Sequence, residues 1–401
     1  MKDKRLLIIF VTVFIDLVGF GIIIPMNSYL ATSFGATPFR VGLLLSVYSL
    51  MQFIFSPIWG QISDRIGRRP VILVSLLGAS LAHLGFAFAP TYWGLVLVRA
   101  LAGVFGGNLS TAMAYIADVT DEKDRSKGMG LIGAAFGLGF VLGPAMGGGF
   151  GVIGKMLGDA PPLGMSFPAV IASLICFLNF LGAYKWLPES LKGQPAARPK
   201  SNRFQRIFNA FGTPVLGVLI FLLFINTLAL AHVEQNLFLY VQDKFHWSFS
   251  KASLGFAYIG IIMVITQGYF IRKFMPKYGE RNLLMIGFSL TCIGYVLSGF
   301  ANEIWTLALG VTALGFGYGL ANPSLNGSIS LTTGKDVQGS TLGVSQSLSS
   351  LARILGPPTG GYLYQRLNPS TPFYVSGGLM ILGLAIATVI RARMPQGGKA
   401  H

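Results

Sequence analysis

The chain is written almost entirely in apolar runs of membrane-crossing length, separated by short polar breaks. Twelve can be traced, at 6–30, 40–62, 71–89, 92–116, 128–151, 165–187, 213–241, 250–272, 282–301, 304–329, 339–364 and 371–391. Runs of this kind cross a hydrocarbon core of roughly 30 Å at about 1.5 Å per residue. Inside lipid a backbone must satisfy its own polar groups, so each run is expected to be a helix. Composition agrees: 11% of residues are charged and 53% hydrophobic, where a soluble domain carries about 25% charged residues. The expected fold class is an all-α, polytopic membrane protein with twelve transmembrane helices. The first run shows no cleavage site and reads as a retained helix rather than a signal peptide.

The formal net charge of +16 raises nucleic acid as a partner only until the cations are located. They gather at the termini (Lys2, Lys4, Arg5; Arg391, Arg393, Lys399) and in alternate breaks. Those breaks hold Arg65, Arg68 and Arg69; Lys123, Arg125 and Lys127; the 188–212 segment; and Arg272, Lys273, Lys277 and Arg281. The positive-inside rule then puts both termini in the cytoplasm, and no nucleic acid is needed to explain the charge. Cys176 and Cys292 lie inside apolar runs and suggest neither disulfide nor metal. The four histidines (His83, His232, His246, His401) are scattered, and no nucleophile–base or metal-ligand spacing points to an enzyme.

Landmarks in the first half recur in the second at an offset of about 212 residues. Gly103 and Gly107 match Gly315 and Gly319, and Gly143-Pro144 matches Gly356-Pro357. The expected organisation is two parallel-related six-helix halves, 1–187 and 213–401, with substrate bound between them near mid-membrane. The connecting 188–212 segment carries Phe204, Ile207, Phe208 and Phe211 at helical spacing beside Arg203 and Arg206. This predicts a short amphipathic helix on the inner membrane face.

Gly60-Gln61-Ile62-Ser63-Asp64-Arg65-Ile66-Gly67-Arg68-Arg69-Pro70 is a charged turn between the second and third runs. It resembles the signature loop of the major facilitator superfamily. Asp16 followed by Pro25, Arg99 with Gly103, Gly106 and Gly107, and Gly139, Gly143, Pro144, Gly147 and Gly148 resemble further motifs of its twelve-span drug/proton antiporter branch. That branch includes tetracycline-resistance-type and multidrug exporters. The resemblance implies the major facilitator fold and a secondary active transporter, with proton-coupled efflux of hydrophobic or amphiphilic small molecules by alternating access. It also implies a monomer in the bacterial inner membrane, surrounded by membrane lipids, driven by the proton gradient without a cofactor. The alternative is a symporter or facilitator of a defined endogenous solute such as a sugar, metabolite or lipid. The second half departs from the pattern: its copy of the loop reads Lys277-Tyr278-Gly279-Glu280-Arg281.

Charges inside apolar helices are costly and mark pathways. Asp16, Arg99, Glu234 and Arg353 are the candidates for proton coupling or cavity charge, with Arg99 the expected partner of Asp16 and Arg353 of Glu234. Phe20, Asn226, His232, Asn236, Asn322 and Asn326 are expected to line a largely apolar substrate cavity. Gly60, Asp64, Arg65, Gly67, Arg68, Arg69, Asp118 and Arg125 form a candidate cytoplasmic gate. Asp118 and Arg125 are expected to contact Asp64, Arg65 or Arg69, and Asp64 to meet the start of the eleventh span at Gly339-Ser340. The glycine and proline tracts, Gly139 to Gly148 and Gly356-Pro357, are expected to form the facing surfaces on which the halves rock.

Overall fold

The computed structural model describes residues 2–120, 122–191, 214–333 and 338–394. Among them there is no strand. The helices are α1 (Lys2–Ser33), α2 (Pro38–Ile66), α3 (Arg68–Ala87), α4 (Tyr92–Gly106), α5 (Leu109–Val119), α6 (Glu122–Leu157) and α7 (Phe167–Trp186). After the linker come α8 (Pro214–Phe245), α9 (Phe249–Ile265), α10 (Ile271–Phe300), α11 (Ile304–Thr332), α12 (Gln338–Arg366) and α13 (Thr371–Ile390). The predicted amphipathic helix and Arg125 lie outside the described residues and side chains, as do the side chains of Gly339-Ser340.

Ten stretches among the described residues are long and apolar enough to cross a membrane. One of them, Phe249–Phe300, is 52 residues long. It bends where Gly279 takes φ 72° and ψ 165°, and a π-helical turn, Thr266–Phe270, precedes the bend. Two passages through that stretch, and a further one by the more polar 29-residue α12, are what the expected twelve require.

The polar breaks stop the helices by identifiable chemistry. Thr37 accepts the N–H of Arg40 and is followed by Pro38, and Thr91 accepts the N–H of Gly94 at 3.1 Å, each capping a helix start. The fourth run is interrupted at Gly107-Asn108, which divides it into α4 and α5. Side chains of α2 catch carbonyls near the break: Trp59 Nε1 donates to Val104 at 2.6 Å and Gln52 Nε2 to Gly106 at 2.9 Å. A side chain at Gly107 would press on the Ser56 nitrogen and the Trp59 ring, each 3.0 Å from its β-carbon.

Two compact units emerge, Met1–Arg198 with His246–Gly260, and Pro199–Phe245 with Ile261–His401. In the first, Ile9, Ile72, Leu76, Tyr115, Ile116 and Leu187 join α1, α3, α5 and the end of α7 in one buried cluster. The start of α9 belongs to this unit because it packs on α6. A β-carbon on Gly148 would lie 2.7 Å from that of Ser253, and one on Gly151 2.9 Å from the Phe249 ring.

Beyond Gly148, which meets Ser253 of the 213–401 half, the glycine tracts also make close contacts inside their own halves. A β-carbon on Gly143 would stand 2.5 Å from Gly21 Cα, and those on Gly139 and Gly147 would stand 2.9 Å from Leu17 and Ile22 of α1, respectively. In the second unit Gly356 faces Ala231 and Gly360 faces His232 of α8. Backbone-to-backbone approach of this kind is how small residues fasten membrane helices together. The tracts weld α6 to α1 and α12 to α8, equivalent pairs in the two repeats.

Candidate functional site

The charged turn of 60–70 is not a loop. α2 runs through Ile66, and Gly67 alone, at φ 106° and ψ 160°, separates it from α3. That φ favours glycine. The break turns Arg68 inward, where it is buried at 2% exposure. Its guanidinium binds Asp64 at 2.5 Å, Asp118 at 3.1 Å and the Ser63 hydroxyl at 2.7 Å. A planar, permanently charged fork suits three acceptors at once. Asp118 thus pairs with Arg68, not with the expected Arg65 or Arg69. Arg69 donates instead to the Tyr184 carbonyl at 2.7 Å and lies over the Tyr184 ring, while Arg65 is exposed. Gly60 faces Ser110 of α5 at ordinary contact distance.

Glu189, just beyond α7, completes this knot and escaped the sequence reading. Its carboxylate accepts the N–H groups of Arg68 and Arg69 at 2.9 and 3.1 Å, at the positive end of α3, and those of Ser190 and Leu191. Burial alone would raise its pKa, but these four donors outweigh burial and bring it below the ordinary 4.5. Ser190 adds a hydrogen bond to Asp118 at 3.1 Å. The available signal was Pro188-Glu189-Ser190: an acidic residue directly after an apolar run, beside a basic segment.

Deeper in the same unit, Asp16 is partly exposed on α1, as are Ile15 and Leu17 on either side of it. The Asn108 side chain, brought there by the α4–α5 break, hydrogen-bonds to its carboxylate. Cys176 Sγ crowds Gly19, one turn away, and His83 Nε2 lies at ordinary contact distance from it. The expected pairing of Asp16 with Arg99 is absent. Arg99 is 1% exposed, with no hydrogen-bond partner for its guanidinium among the described residues. It lies over the Tyr48 ring at 4.5 Å and the Phe20 ring at 5.7 Å. Phe20 and Tyr48 themselves pack with centroids 4.9 Å apart. A cation held on aromatic faces gains an attraction that grows as water is removed, so Phe20, itself partly exposed, helps hold the Arg99 charge.

In the second unit Glu234 and Arg353 lie within electrostatic reach but form no direct ion pair. Tyr318 feels both charges, and Tyr295 feels Glu234. Three polar residues assigned to the cavity are buried instead: Asn226 and Asn236 are fully enclosed and His232 is 5% exposed. His232 Nε2 bonds Thr359 Oγ1 at 2.7 Å, and Asn236 donates to the His232 carbonyl at 2.5 Å. The His232–Thr359 bond fastens α8 to α12 beside Gly360, while the Asn236 bond stays within α8. Asn322 and Asn326 remain partly exposed on α11, with Asn326 donating to the Asn322 carbonyl at 2.9 Å.

Within this geometry the profile of the Major Facilitator Superfamily matches residues 9–277 and 269–401. The chain belongs to that superfamily. As a major facilitator protein it is a multi-pass integral membrane transporter of small molecules and not an enzyme. It is 33% identical to the class C tetracycline resistance protein of Escherichia coli, over 89% of this chain and 88% of that one. It is also 28% identical to multidrug resistance protein 2 of Bacillus subtilis, over 97% and 96% of the two chains. Among solved structures, an inward-facing bacterial homologue of the human lysosomal transporter Spinster superposes with a TM-score of 0.77. That match covers 97% of this chain and 96% of the other at 14% identity, and so speaks to the fold alone.

Proposed function

We propose that this major facilitator protein exports hydrophobic or amphiphilic small molecules in exchange for protons, by alternating access. The observation that carries the reading is the likeness, over nearly the whole chain, to proteins named for tetracycline and multidrug resistance. Asp16 supports it as the proton carrier: a carboxylate inside a membrane helix, partly exposed, hydrogen-bonded by Asn108 and without a paired cation among the described residues. Such a group takes up a proton when its surroundings are apolar and releases it when water or a cation reaches it. The basic breaks set both termini and the Arg68 knot on the cytoplasmic side of the bacterial inner membrane. The proton gradient supplies the energy, no cofactor takes part, and the monomer is the working unit. In proteoliposomes, efflux of a fluorescent amphiphile should accelerate with an imposed pH gradient and stop when a protonophore collapses it. Efflux indifferent to the gradient favours the facilitator alternative.

A further inference from the structure

The second unit holds two opposite charges that share a space without touching. Glu234 on α8 is partly exposed and Arg353 on α12 is exposed, whereas Val233, Gln235 and Ala352 beside them in sequence are buried. Both side chains therefore leave the packed seam between the two helices. The register of that seam is set by Gly356 against Ala231 and by Gly360 against His232 and Asn236. Counting along it, Arg353 lies about six residues nearer the N-terminal ends than Glu234, or roughly 9 Å at 1.5 Å per residue. That offset explains why the two share a field and yet form no ion pair. Tyr318 of α11 and Tyr295 of α10 complete the surroundings, Tyr318 within reach of both charges.

An acid and a base held apart on membrane helices forgo the close contact that would offset the cost of placing charge there. A ligand with a cationic group and an anionic oxygen on one apolar frame supplies both missing contacts together. We infer that Glu234 and Arg353 bind the two ends of a dipolar cargo, its cationic group against Glu234 and its anionic oxygen against Arg353. This assignment rests on the transport role proposed above and names the class of cargo that role serves. Neither charge is spent on a static ion pair, so each remains available to an incoming group.

The test uses dyes on one xanthene framework: a cationic rhodamine ester, its zwitterionic free acid, and anionic fluorescein. Equilibrium binding to the purified full chain is read by fluorescence polarisation. The zwitterion should bind most tightly. Glu234→Gln should weaken the ester and the zwitterion by about tenfold each and leave fluorescein unchanged, while Arg353→Gln should weaken fluorescein and the zwitterion and spare the ester. Glu234→Asp, which keeps the charge, should retain the preference for cations and so separates charge from fold. The inference is overturned if either glutamine variant weakens all three dyes alike, or none of them. Failure of the wild-type chain to move any of the dyes across proteoliposomes would sink the transport role instead, whatever the binding pattern.

Discussion

Glu189 fills the space in which a side chain at Gly67 would stand, and from there its carboxylate receives the first N–H groups of α3. Gly67 is thus constrained twice, by its φ of 106° and by its neighbour. Gly67→Ala should cost about 1–3 kcal/mol for the strained backbone alone and should also dislodge Glu189. The check is a thermal unfolding midpoint in detergent beside dye efflux, and both should fall.

Glu189 also carries a pH signature. Its pKa is lowered in the folded chain, so its contribution is complete above the ordinary value of 4.5 and is lost as the pH falls through the lowered value. The side chain is exposed, which limits the effect to about 0.5–1 kcal/mol. Glu189→Gln should lower the unfolding midpoint at neutral pH and flatten its decline on acidification. An unchanged acid limb would contradict this role.

Three arginines in five residues look alike in the sequence and differ sharply in place. Arg68→Ala removes a buried cation from Asp64 and Asp118 and should cost roughly 1–3 kcal/mol, below the penalty of a fully buried pair because both carboxylates stay partly exposed. Arg68→Lys should recover only part of it, because an ammonium does not reproduce the fork. Arg65 is exposed, and Arg65→Ala should stay within about 0.5 kcal/mol. Unfolding midpoints of the three variants decide.

The glycines divide in the same way. Gly143→Val would push α6 off Gly21, and Gly360→Val would push α12 off the His232 carbonyl, 2.5 Å from the new β-carbon. Both should abolish stable expression. Gly149 and Gly378 meet nothing within 4 Å, and alanine at either should be tolerated. Fluorescence-detected size-exclusion profiles separate the two groups.

Much of this was legible beforehand because lipid leaves a chain few choices. Apolar run length and basic breaks read directly as spans, and glycine spacing read as repeats. The repeat even extends to geometry: Gly67 and Gly279 occupy equivalent positions, and both adopt positive φ. Partner identity was not legible. Asp16 and Arg99 are the two charges of their half's membrane interior, so pairing them was natural. Yet the break at Gly107-Asn108 delivers an amide to Asp16, and Phe20 with Tyr48 takes the guanidinium. His232 and Asn236 read as cavity polarity, because nothing in a single helix tells which face meets a neighbour. Glu189 was missed because capping of α3 by a residue after α7 is long-range.

Proton coupling through Asp16 is most directly tested in weakly buffered proteoliposomes holding a pH-sensitive dye. Adding cargo should release protons from the wild-type chain, and Asp16→Asn should bind cargo while releasing none. Proton release undiminished in Asp16→Asn would contradict the account.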